Sequence, residues 1–315
     1  MPTATVTAFV FPGQGSQYAG MGFDLYNDFP SAREVFEKAD AALKFPLSQL
    51  CFEGPEEELK QTINVQPAIL TTSIACLSAA QEVCGDSLPS PAFVAGHSLG
   101  EYAALVAAKT MNLTDAVQLV RERGRLMQQA SKQQQGGMLA IIGLDKSAVE
   151  EVCLQSDCEI SNINSPGQIV ISGSVNVLPL AGKLAKAKGP CRVIPLKVGG
   201  AFHSRLMKPI ADEFRQIILN LPLHPPVIPL VANVSARPAS NITAIQEELC
   251  GQLCHCVQWQ SCVEYMTNNA VSFFYEIGPG RVLSSLIKHT IPNAQCVNIS
   301  NTDDIRQLAK MSASR

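Results

Sequence analysis

The chain has 315 residues, of which 46% are hydrophobic and 16% are charged, and its formal net charge is −3. A chain of this length can bury a large core as one big domain or two smaller ones. The nearly neutral charge balance gives no global case for binding nucleic acid or an anionic membrane. The eleven cysteines are scattered and odd in number, and no basic segment precedes the first apolar run. We therefore expect reduced cysteines in a cytoplasmic protein.

Two other features could suggest a metal site or a membrane span. The CHC stretch at 254–256 lacks the gaps of two to four residues that zinc ligands need, so we expect no metal. Residues 61–81 carry no charge, but Gln, Thr, Ser and Pro interrupt the run. This pattern predicts a buried helix and no membrane span.

Apolar runs along the chain predict strands, and amphipathic patterns between them predict helices. Strands are expected near residues 5–11, 92–95, 227–231 and 272–277. Helices are expected near 31–44, 65–83, 98–109, 114–130, 205–219, 241–254 and 280–289. Strands that alternate with helices indicate an α/β protein with a mostly parallel sheet.

In the middle of the chain, the predicted strands and helices follow a different order. The stretches GMLAIIGL, CEISNI, QIVISG and CRVIPLKV read as strands, with helices at 145–155 and 175–188. The resulting β-α-β-β-α-β order is that of a ferredoxin-like unit. We predict that residues 131–199 form this small subdomain, inserted into a larger domain made of residues 1–130 and 200–315.

The stretch GHSLG at 96–100 matches the G-x-S-x-G pattern of a nucleophile elbow. The apolar PAFVA precedes it and the helical EYAALVAA follows it, so Ser98 is expected at a sharp turn between a strand and a helix. Amide groups at a helix N-terminus favour developing negative charge. The alternative is an ordinary serine that caps the helix.

A nucleophilic serine needs a base, and the chain has five histidines. His203, in GGAFHSRLMKP, lies between a glycine-rich loop and a helix, where α/β active sites gather. We take His203 as the candidate base. A serine hydrolase would also need an acid before a late histidine, but more than a hundred residues follow His203 and the preceding acids fall in surface helices.

The helix at 114–130 places one charged side chain on its apolar face. Ala116, Leu119, Val120, Leu126 and Met127 form a stripe with Arg123 at its centre, while Arg121 and Arg125 fall on the opposite side. A buried arginine keeps its charge and needs a partner. The partner is either an internal acid or a substrate carboxylate held by the guanidinium fork, and snorkelling to water is a third alternative.

These residues, with several other segments, resemble one known family across nearly the whole chain. The matching segments are FVFPGQGSQYAGMG (9–22), VQPAIL (65–70), GHSLGEYAALVAA (96–108), LVRERGRLM (119–127), NSPGQIVISG (164–173), FHSRLMKP (202–209), VQWQSCVEYM (257–266) and YEIGPGRVL (275–283). Together they resemble the malonyl-CoA:acyl carrier protein transacylases of bacterial fatty acid synthesis. The fold of that family, an α/β-hydrolase-like domain with a ferredoxin-like insert, agrees with the predicted elements.

The resemblance implies a role for each matching residue. Ser98 is implied as the nucleophile and His203 as its base, and Arg123 as the partner of the malonyl carboxylate. The other implied positions are Gln14 and Leu99 for the oxyanion hole, Gln258 for a main-chain carbonyl that holds the histidine, Asn233 near the active site, and Phe202 as a bulky residue that crowds out a 2-methyl group.

The implied substrates are malonyl-CoA and a phosphopantetheinylated acyl carrier protein, with no tightly bound cofactor, and we expect a monomer. Between Ala181 and Lys208 the chain has seven Lys or Arg and no Asp or Glu. This bias predicts either steering of an acidic carrier protein or a solvated helix face. Three other functions stay open: an acyltransferase that serves a polyketide synthase, a serine esterase or thioesterase, and a non-catalytic binding module.

Overall fold

A computed structural model describes residues 6–313, with side chains described to residue 310. The strands are β1 (Val6–Phe11), β2 (Phe93–Gly96), β3 (Gly136–Ile142), β4 (Glu159–Ser165), β5 (Gln168–Ser174), β6 (Arg192–Pro195), β7 (Leu230–Val231), β8 (Pro238–Ala239), β9 (Val271–Ile277) and β10 (Gln295–Ile299). The helices are α1 (Phe23–Asp28), α2 (Pro30–Leu43), α3 (Leu47–Glu53), α4 (Glu56–Leu59), α5 (Thr62–Cys84), α6 (Gly100–Ala107), α7 (Leu113–Gln133), α8 (Lys146–Ser156), α9 (Leu178–Lys188), α10 (Lys208–Leu219), α11 (Ile242–Gln252), α12 (Trp259–Asn268), α13 (Val282–Thr290) and α14 (Thr302–Ala313).

Six strands form the larger sheet, in the order β10-β9-β1-β2-β7-β8. All neighbours are parallel except β7 and β8. The mostly parallel α/β sheet predicted from the sequence is therefore confirmed. In the register of β1 with β2, Phe11 lies beside Gly96, so the loops that follow these two strands leave the same edge of the sheet. Ligand sites of open α/β sheets form at this carboxyl edge.

Four strands from the middle of the chain form a second, antiparallel sheet in the order β4-β5-β3-β6. Side chains alternate between the two faces of a strand. On β3, Leu139 and Ile141 join the core under α8 and α9, whereas Met138 and Ala140 face the opposite way and line a cavity. This sheet thus supplies one wall of that cavity.

The sequence patterns missed several elements. The predicted helices of the large domain correspond to α2, α5, α6, α7, α10, α11 and α13. The elements that were not expected are α1, α3, α4, α12, α14 and the edge strands β8 and β10. Strand β10 has a polar residue, Asn298, whose amide donates to the buried Glu276 carboxylate on β9 at 2.9 Å. Besides the parallel register with β9, this long-range polar contact joins the two strands, and local hydrophobic periodicity cannot show it.

Helix α5 is the central helix of the large core and packs against α2 and α7. Among the described residues, the Thr62–Ser87 segment is the one helix long and apolar enough to span a membrane, and 89% of its most apolar window is buried inside the protein. Burial on this scale fits the core helix predicted from the sequence.

The contact between α5 and α7 depends on Gly124. A Cβ atom at this position would lie 2.5 Å from the Thr62 carbonyl oxygen. Alanine is favoured over glycine within a helix by about 1 kcal/mol, but overpacking against backbone costs about 1–3 kcal/mol. We expect Gly124→Ala to lower the free energy of unfolding, measured by denaturant titration.

Gly182 in α9 is the matched control, because a Cβ there would meet Val193 at an ordinary 3.6 Å. Gly182→Ala should raise the free energy of unfolding by about 0.5–1 kcal/mol. Equal stabilisation by both substitutions would show that the α5–α7 contact is not tight.

Candidate active site

Ser98 lies in the turn between β2 and α6 with a φ of 51°, in the left-handed region. Two glycines permit this turn because backbone segments approach them closely. A Cβ at Gly96 would lie 1.9 Å from the carbonyl carbon of Gly100, and one at Gly100 would lie 2.0 Å from the Phe11 carbonyl oxygen. A side chain at Gly96 would clash with the backbone of the elbow itself, and one at Gly100 would push the elbow off β1.

The structure brings Ser98 and His203 together. The Ser98 Oγ lies 2.8 Å from His203 Nε2, and His203 Nδ1 lies 2.7 Å from the main-chain carbonyl oxygen of Gln252. A carbonyl only accepts, so Nδ1 carries the proton and Nε2 is free to accept one. Arg123 Nη2 donates to Ser98 Oγ at 3.2 Å, which leaves the hydroxyl proton directed at His203. This is the geometry of a serine and its general base.

The carbonyl that holds His203 belongs to Gln252, so the expectation that Gln258 supplies it is wrong. Gln252 is the last residue of α11, and the last carbonyls of a helix have no partner within the helix. Gln258 instead precedes α12, where its amide N–H donates to the Asn233 carbonyl at 2.9 Å and its side chain donates to the Val234 carbonyl. The two glutamines are six positions apart in the sequence. Which of them presents a free carbonyl to His203 depends on where α11 ends.

Burial, and after it the positive charge of Arg123, lower the pKa of His203 from 6.5 to about 3. The imidazole is therefore neutral at physiological pH and can act as a base. No carboxylate is hydrogen-bonded to it within the described residues. A neutral carbonyl orients the ring in place of the acid found in hydrolase triads.

Arg123 on α7 is 1% exposed, as its position in the apolar stripe predicted. Its Nη1 donates to Gln66 Oε1 at 2.8 Å, and its Nη2 donates to Gln252 Oε1 at 2.9 Å as well as to Ser98 Oγ. The guanidinium Nε–H has no partner among the described side chains. The buried cation is thus held by neutral oxygens and lies 5.4 Å from the centre of the Tyr102 ring, next to the serine hydroxyl.

Asn233 fixes the elbow from the other side. Its Oδ1 accepts from the Ser98 amide at 2.7 Å, and its Nδ2 donates to the Gly96 carbonyl at 2.7 Å. The one side chain therefore bonds the backbone on both sides of the turn. The structure thus places Asn233 beneath Ser98, at the active site.

Gln14 and Leu99 both line the cavity beside Ser98. The loop that holds Gln14 packs directly on the elbow, because a Cβ at Gly13 would lie 2.3 Å from the His97 carbonyl oxygen. In the described part of the chain, the main-chain amides of Gln14 and Leu99 donate to no other protein group. Two free amides from different loops therefore lie at the same edge of the large sheet.

The cavity that contains these groups has a volume of about 280 Å³ and lies between the two sheets. The large sheet, with its loops and helices, contributes Ser98 after β2, Arg123 on α7 and His203 shortly before α10. The second sheet and its exit segment contribute Met138, Ala140, Val170, Leu196 and Val198, and Phe202 adds an aromatic face that is 5% exposed. A polar serine and arginine thus face a mostly apolar wall, as expected for a small acyl group.

Sequence reasoning missed three polar residues of the site: Gln66 and Gln252, which bind Arg123, and the fully buried Glu101. The GHSLGEY stretch contains Glu101, and its position in an otherwise apolar helix is the one sequence feature that marks it. Among residues 6–310, no three His, Cys, Asp or Glu side chains lie close enough to hold a metal ion.

Residues 8–310 match the family of acyl transferase domains. A curated relative from Bacillus subtilis (strain 168), a malonyl CoA-acyl carrier protein transacylase, is 43% identical over 95% of this chain and 94% of its own length. Its counterpart from Escherichia coli (strain K12) is 43% identical over 91% of this chain and 93% of its own. The chain belongs to the malonyl CoA-acyl carrier protein transacylase family.

Solved structures of transacylases agree with this assignment. The acyl-carrier-protein-S-malonyltransferase of Bartonella henselae aligns with a TM-score of 0.93 at 39% identity, over 98% of this chain and 100% of the other. A malonyl-transacylase in complex with the holo acyl-carrier protein of a type II polyketide synthase aligns with a TM-score of 0.94 at 38% identity, over the same shares. This transacylase is therefore an acyltransferase enzyme.

The lowered pKa of His203 gives a pH prediction for the transacylase. Since the folded pKa lies below the unfolded value, the imidazole stays neutral as pH falls through 6.5. We expect kcat/KM for acylation of Ser98 to stay within about twofold between pH 7.5 and 5, because this ratio reports the free enzyme. Single-turnover kinetics with malonyl-CoA would measure it.

The lowered pKa of His203 also makes the free energy of unfolding decrease as pH falls from 6.5 towards 3. In this range His203 binds a proton in the unfolded chain but not in the folded one. NMR titration of the imidazole provides the control, with the urea-unfolded chain titrating near 6.5. A loss of half the acylation rate at pH 6.5 would contradict the buried neutral base.

Proposed function

We propose that this protein transfers the malonyl group from malonyl-CoA to the phosphopantetheine thiol of an acyl carrier protein, in fatty acid biosynthesis. The observation that carries the proposal is the Ser98–His203–Gln252 carbonyl chain next to a buried arginine that has no acidic partner among the described residues. The names of the curated relatives support the choice of substrates.

In the first half-reaction, Ser98 Oγ attacks the thioester carbonyl of malonyl-CoA while His203 Nε2 takes the hydroxyl proton. The tetrahedral intermediate collapses, the C–S bond breaks, and the CoA sulfur leaves with the proton from His203. The product is a malonyl ester of Ser98. The hydrogen bond from His203 Nδ1 to the main-chain carbonyl of Gln252 holds the imidazole in place for both proton transfers.

The negative charge of the tetrahedral intermediate is stabilised by the amides of Gln14 and Leu99. Both line the cavity beside Ser98 and neither has another acceptor within the described residues. The amide of Ser98 itself is not available, since it donates to Asn233 Oδ1. Loss of one such donor in other enzymes costs about a hundredfold or more in rate.

In the second half-reaction, the carrier's pantetheine thiol gives its proton to His203 Nε2 and attacks the malonyl ester. The C–Oγ bond breaks, and Ser98 Oγ leaves with the proton from His203. The basic stretch between Ala181 and Lys208 is a docking surface for this acidic partner. Two of its cations are neutralised, because Lys188 pairs with Glu151, and Arg205 with Asp157 and Glu159. Lys183, Lys186 and Lys197 form no ion pair with the described residues. Lys197 lies between Leu196 and Val198, which line the cavity.

Arg123 is the clamp for the malonyl carboxylate. Its Nη2 lies 3.2 Å from Ser98 Oγ, so a carboxylate two carbons from the reacting carbonyl reaches the guanidinium while that carbonyl meets the serine. Phe202 lines the acyl pocket and selects against a 2-methyl branch. Its carbonyl is fixed by the Ser172 hydroxyl at 2.7 Å.

The finer architecture belongs to the same proposal. Residues 131–199 constitute an inserted ferredoxin-like subdomain, and residues 1–130 and 200–315 an α/β-hydrolase-like catalytic domain. The strand order β4-β5-β3-β6 supports this division. We also propose a cytoplasmic monomer without a tightly bound cofactor, membrane or nucleic-acid partner. Buried thiols such as Cys51, Cys76 and Cys262 support a reducing compartment.

A second candidate is an acyltransferase that serves a polyketide synthase, which the similarity to the complex with a polyketide carrier protein favours. The chemistry at Ser98 is the same, and only the preferred carrier protein separates the two. An esterase or thioesterase would use water as acceptor and have no use for Arg123, so it fits the cavity less well.

The experiment that tests the nucleophile is the intact-protein mass after brief incubation with malonyl-CoA. We expect a malonyl-sized increase in the wild type and none in Ser98→Ala. Ser16→Ala is the control, because Ser16 also lines the cavity but donates to the Gly13 carbonyl at 2.9 Å. Acylation that survives in Ser98→Ala would exclude Ser98 as the nucleophile.

The clamp is tested by Arg123→Ala. Truncating one partner of a buried charge pair costs about 3–5 kcal/mol, so we expect kcat/KM for malonyl transfer to fall at least about 100-fold. Transfer of an acetyl group, which has no carboxylate, should hold or rise. Steady-state kinetics with malonyl-CoA and acetyl-CoA give the ratio.

Arg125→Ala is the matched control, since Arg125 lies on the outer face of the same helix and pairs with Glu122 and Glu213. It should leave the ratio of malonyl to acetyl transfer unaltered. An unaltered ratio in Arg123→Ala would remove the clamp role.

A further inference from the structure

Glu101 is a fully buried carboxyl group, on α6 three residues after Ser98, and the mechanism above does not use it. Its Oε1 accepts from the Asn233 amide at 2.9 Å, and its Oε2 accepts from the side-chain Nε2 of Gln252. Burying a carboxyl group is costly unless it is paired or hydrogen-bonded. The position of Glu101 therefore needs an explanation within the site.

Arg123 presents the complementary problem. It is a buried guanidinium that forms no ion pair with the described residues, and its hydrogen-bond partners Gln66, Gln252 and Ser98 are neutral. An arginine does not lose its proton in proteins. A buried cation without a compensating charge would carry a large desolvation penalty.

One side-chain amide connects the two charges. Gln252 Oε1 accepts from Arg123 Nη2 at 2.9 Å, while Gln252 Nε2 donates to Glu101 Oε2 and to the Ser98 carbonyl at 3.0 Å. The orientation of this amide is determined, because a guanidinium can only donate and a carbonyl can only accept. The amide dipole thus points its oxygen at the cation and its nitrogen at the carboxyl group.

We propose that Glu101 is the buried counter-charge of Arg123, acting as a positioning residue through the side-chain amide of Gln252. The proposal rests on the clamp role of Arg123. In this arrangement the cation is balanced inside the protein, yet no carboxylate touches the guanidinium. A substrate carboxylate can then bind Arg123 without first displacing a protein acid.

The same carboxyl group connects the clamp to the rest of the catalytic machinery. Glu101 bonds the amide of Asn233, whose side chain holds the Ser98 turn. Gln252 carries the carbonyl that orients His203. The main-chain N–H of Asn233 and the side-chain amide of Gln252, which bind Glu101, thus belong to the two residues that position the nucleophile and the base.

The hydrogen bonds of Glu101 are those of a carboxylate, although its burial opposes a charge. Burial and then the neighbouring carboxyl of Glu248 raise the pKa of Glu101 well above its ordinary value, while the Asn233 and Gln252 hydrogen bonds and the charge of Arg123 act in the opposite direction. Both carboxyl oxygens accept from groups that can only donate in this geometry. We infer that Glu101 is ionised when Arg123 has no bound anion.

The first test is a double-mutant cycle on stability, which needs no substrate. Glu101→Gln and Arg123→Met are each expected to raise the equilibrium constant of unfolding at least tenfold, because each leaves one buried charge unbalanced. The combined variant should be at least tenfold more stable than the product of the two single effects predicts. Multiplicative effects would overturn the proposal.

The second test relocates the carboxylate from position 101 to position 252, which lies between Glu101 and Arg123 in the hydrogen-bond chain. In Glu101→Gln/Gln252→Glu the net charge is kept, but the new acid at 252 touches Arg123 directly. We expect stability to recover relative to Glu101→Gln alone. We also expect the ratio of malonyl to acetyl kcat/KM to fall at least tenfold below wild type, since the substrate carboxylate must now displace a protein acid.

Glu248→Gln is the matched control, because Glu248 is a buried carboxyl that accepts from the Val234 amide at 2.8 Å and does not bond Gln252. It should leave the malonyl-to-acetyl ratio unaltered. A coupled stability cycle with an unaltered ratio in the relocated variant would support the counter-charge and contradict the clamp role of Arg123. If Glu101→Gln fails to fold, folding of the relocated variant supports the proposal and its failure overturns it.

Discussion

A buried guanidinium next to a serine hydroxyl is the constraint on which this active site depends. Arg123 cannot be neutralised, so every group within reach has to supply a hydrogen-bond acceptor without supplying a competing acid. Burial lowers the pKa of His203, and the positive charge of Arg123 lowers it in the same direction, so the base stays free of a proton. A carboxylate at the usual third position of a triad would lie close to this cation. The neutral carbonyl of Gln252 avoids that pairing while still orienting the imidazole.

Much of this arrangement was accessible from the sequence, because it depends on local patterns. The elbow has a glycine on each side of Ser98 at fixed spacing, and helix periodicity places Arg123 among apolar residues. Identifying Gln252 was not possible in this way. It depends on where α11 ends and on which orphan carbonyl meets His203 from another part of the chain. Strand β10 was missed for a related reason, since the Asn298–Glu276 contact joins residues 22 positions apart.

Two residues of the site adopt left-handed backbone although neither is glycine: Ser98 at φ 51° and His203 at φ 55°. Such conformations are uncommon for residues with a Cβ and are maintained by their surroundings. At Ser98 the Asn233 side chain bonds the backbone on both sides of the turn. At His203 the ring is held by the Gln252 carbonyl, and Ser204 Oγ donates to the Ala201 carbonyl at 2.7 Å. Polar contacts from distant segments thus stabilise both reacting side chains.

The cavity wall and the reacting groups come from different sheets. Ser98, His203 and Arg123 extend from the large sheet and its helices, whereas Met138, Ala140 and Val170 extend from the small one. The acyl-pocket wall can therefore be altered at Met138, Ala140 and Val170 without replacing a residue that moves a proton. New acyl groups could be accommodated by exchanging these three side chains, as long as Ser172 on β5 keeps its hydrogen bond to the Phe202 carbonyl. A scaffold divided in this way is a natural starting point for directed evolution of unnatural extender units.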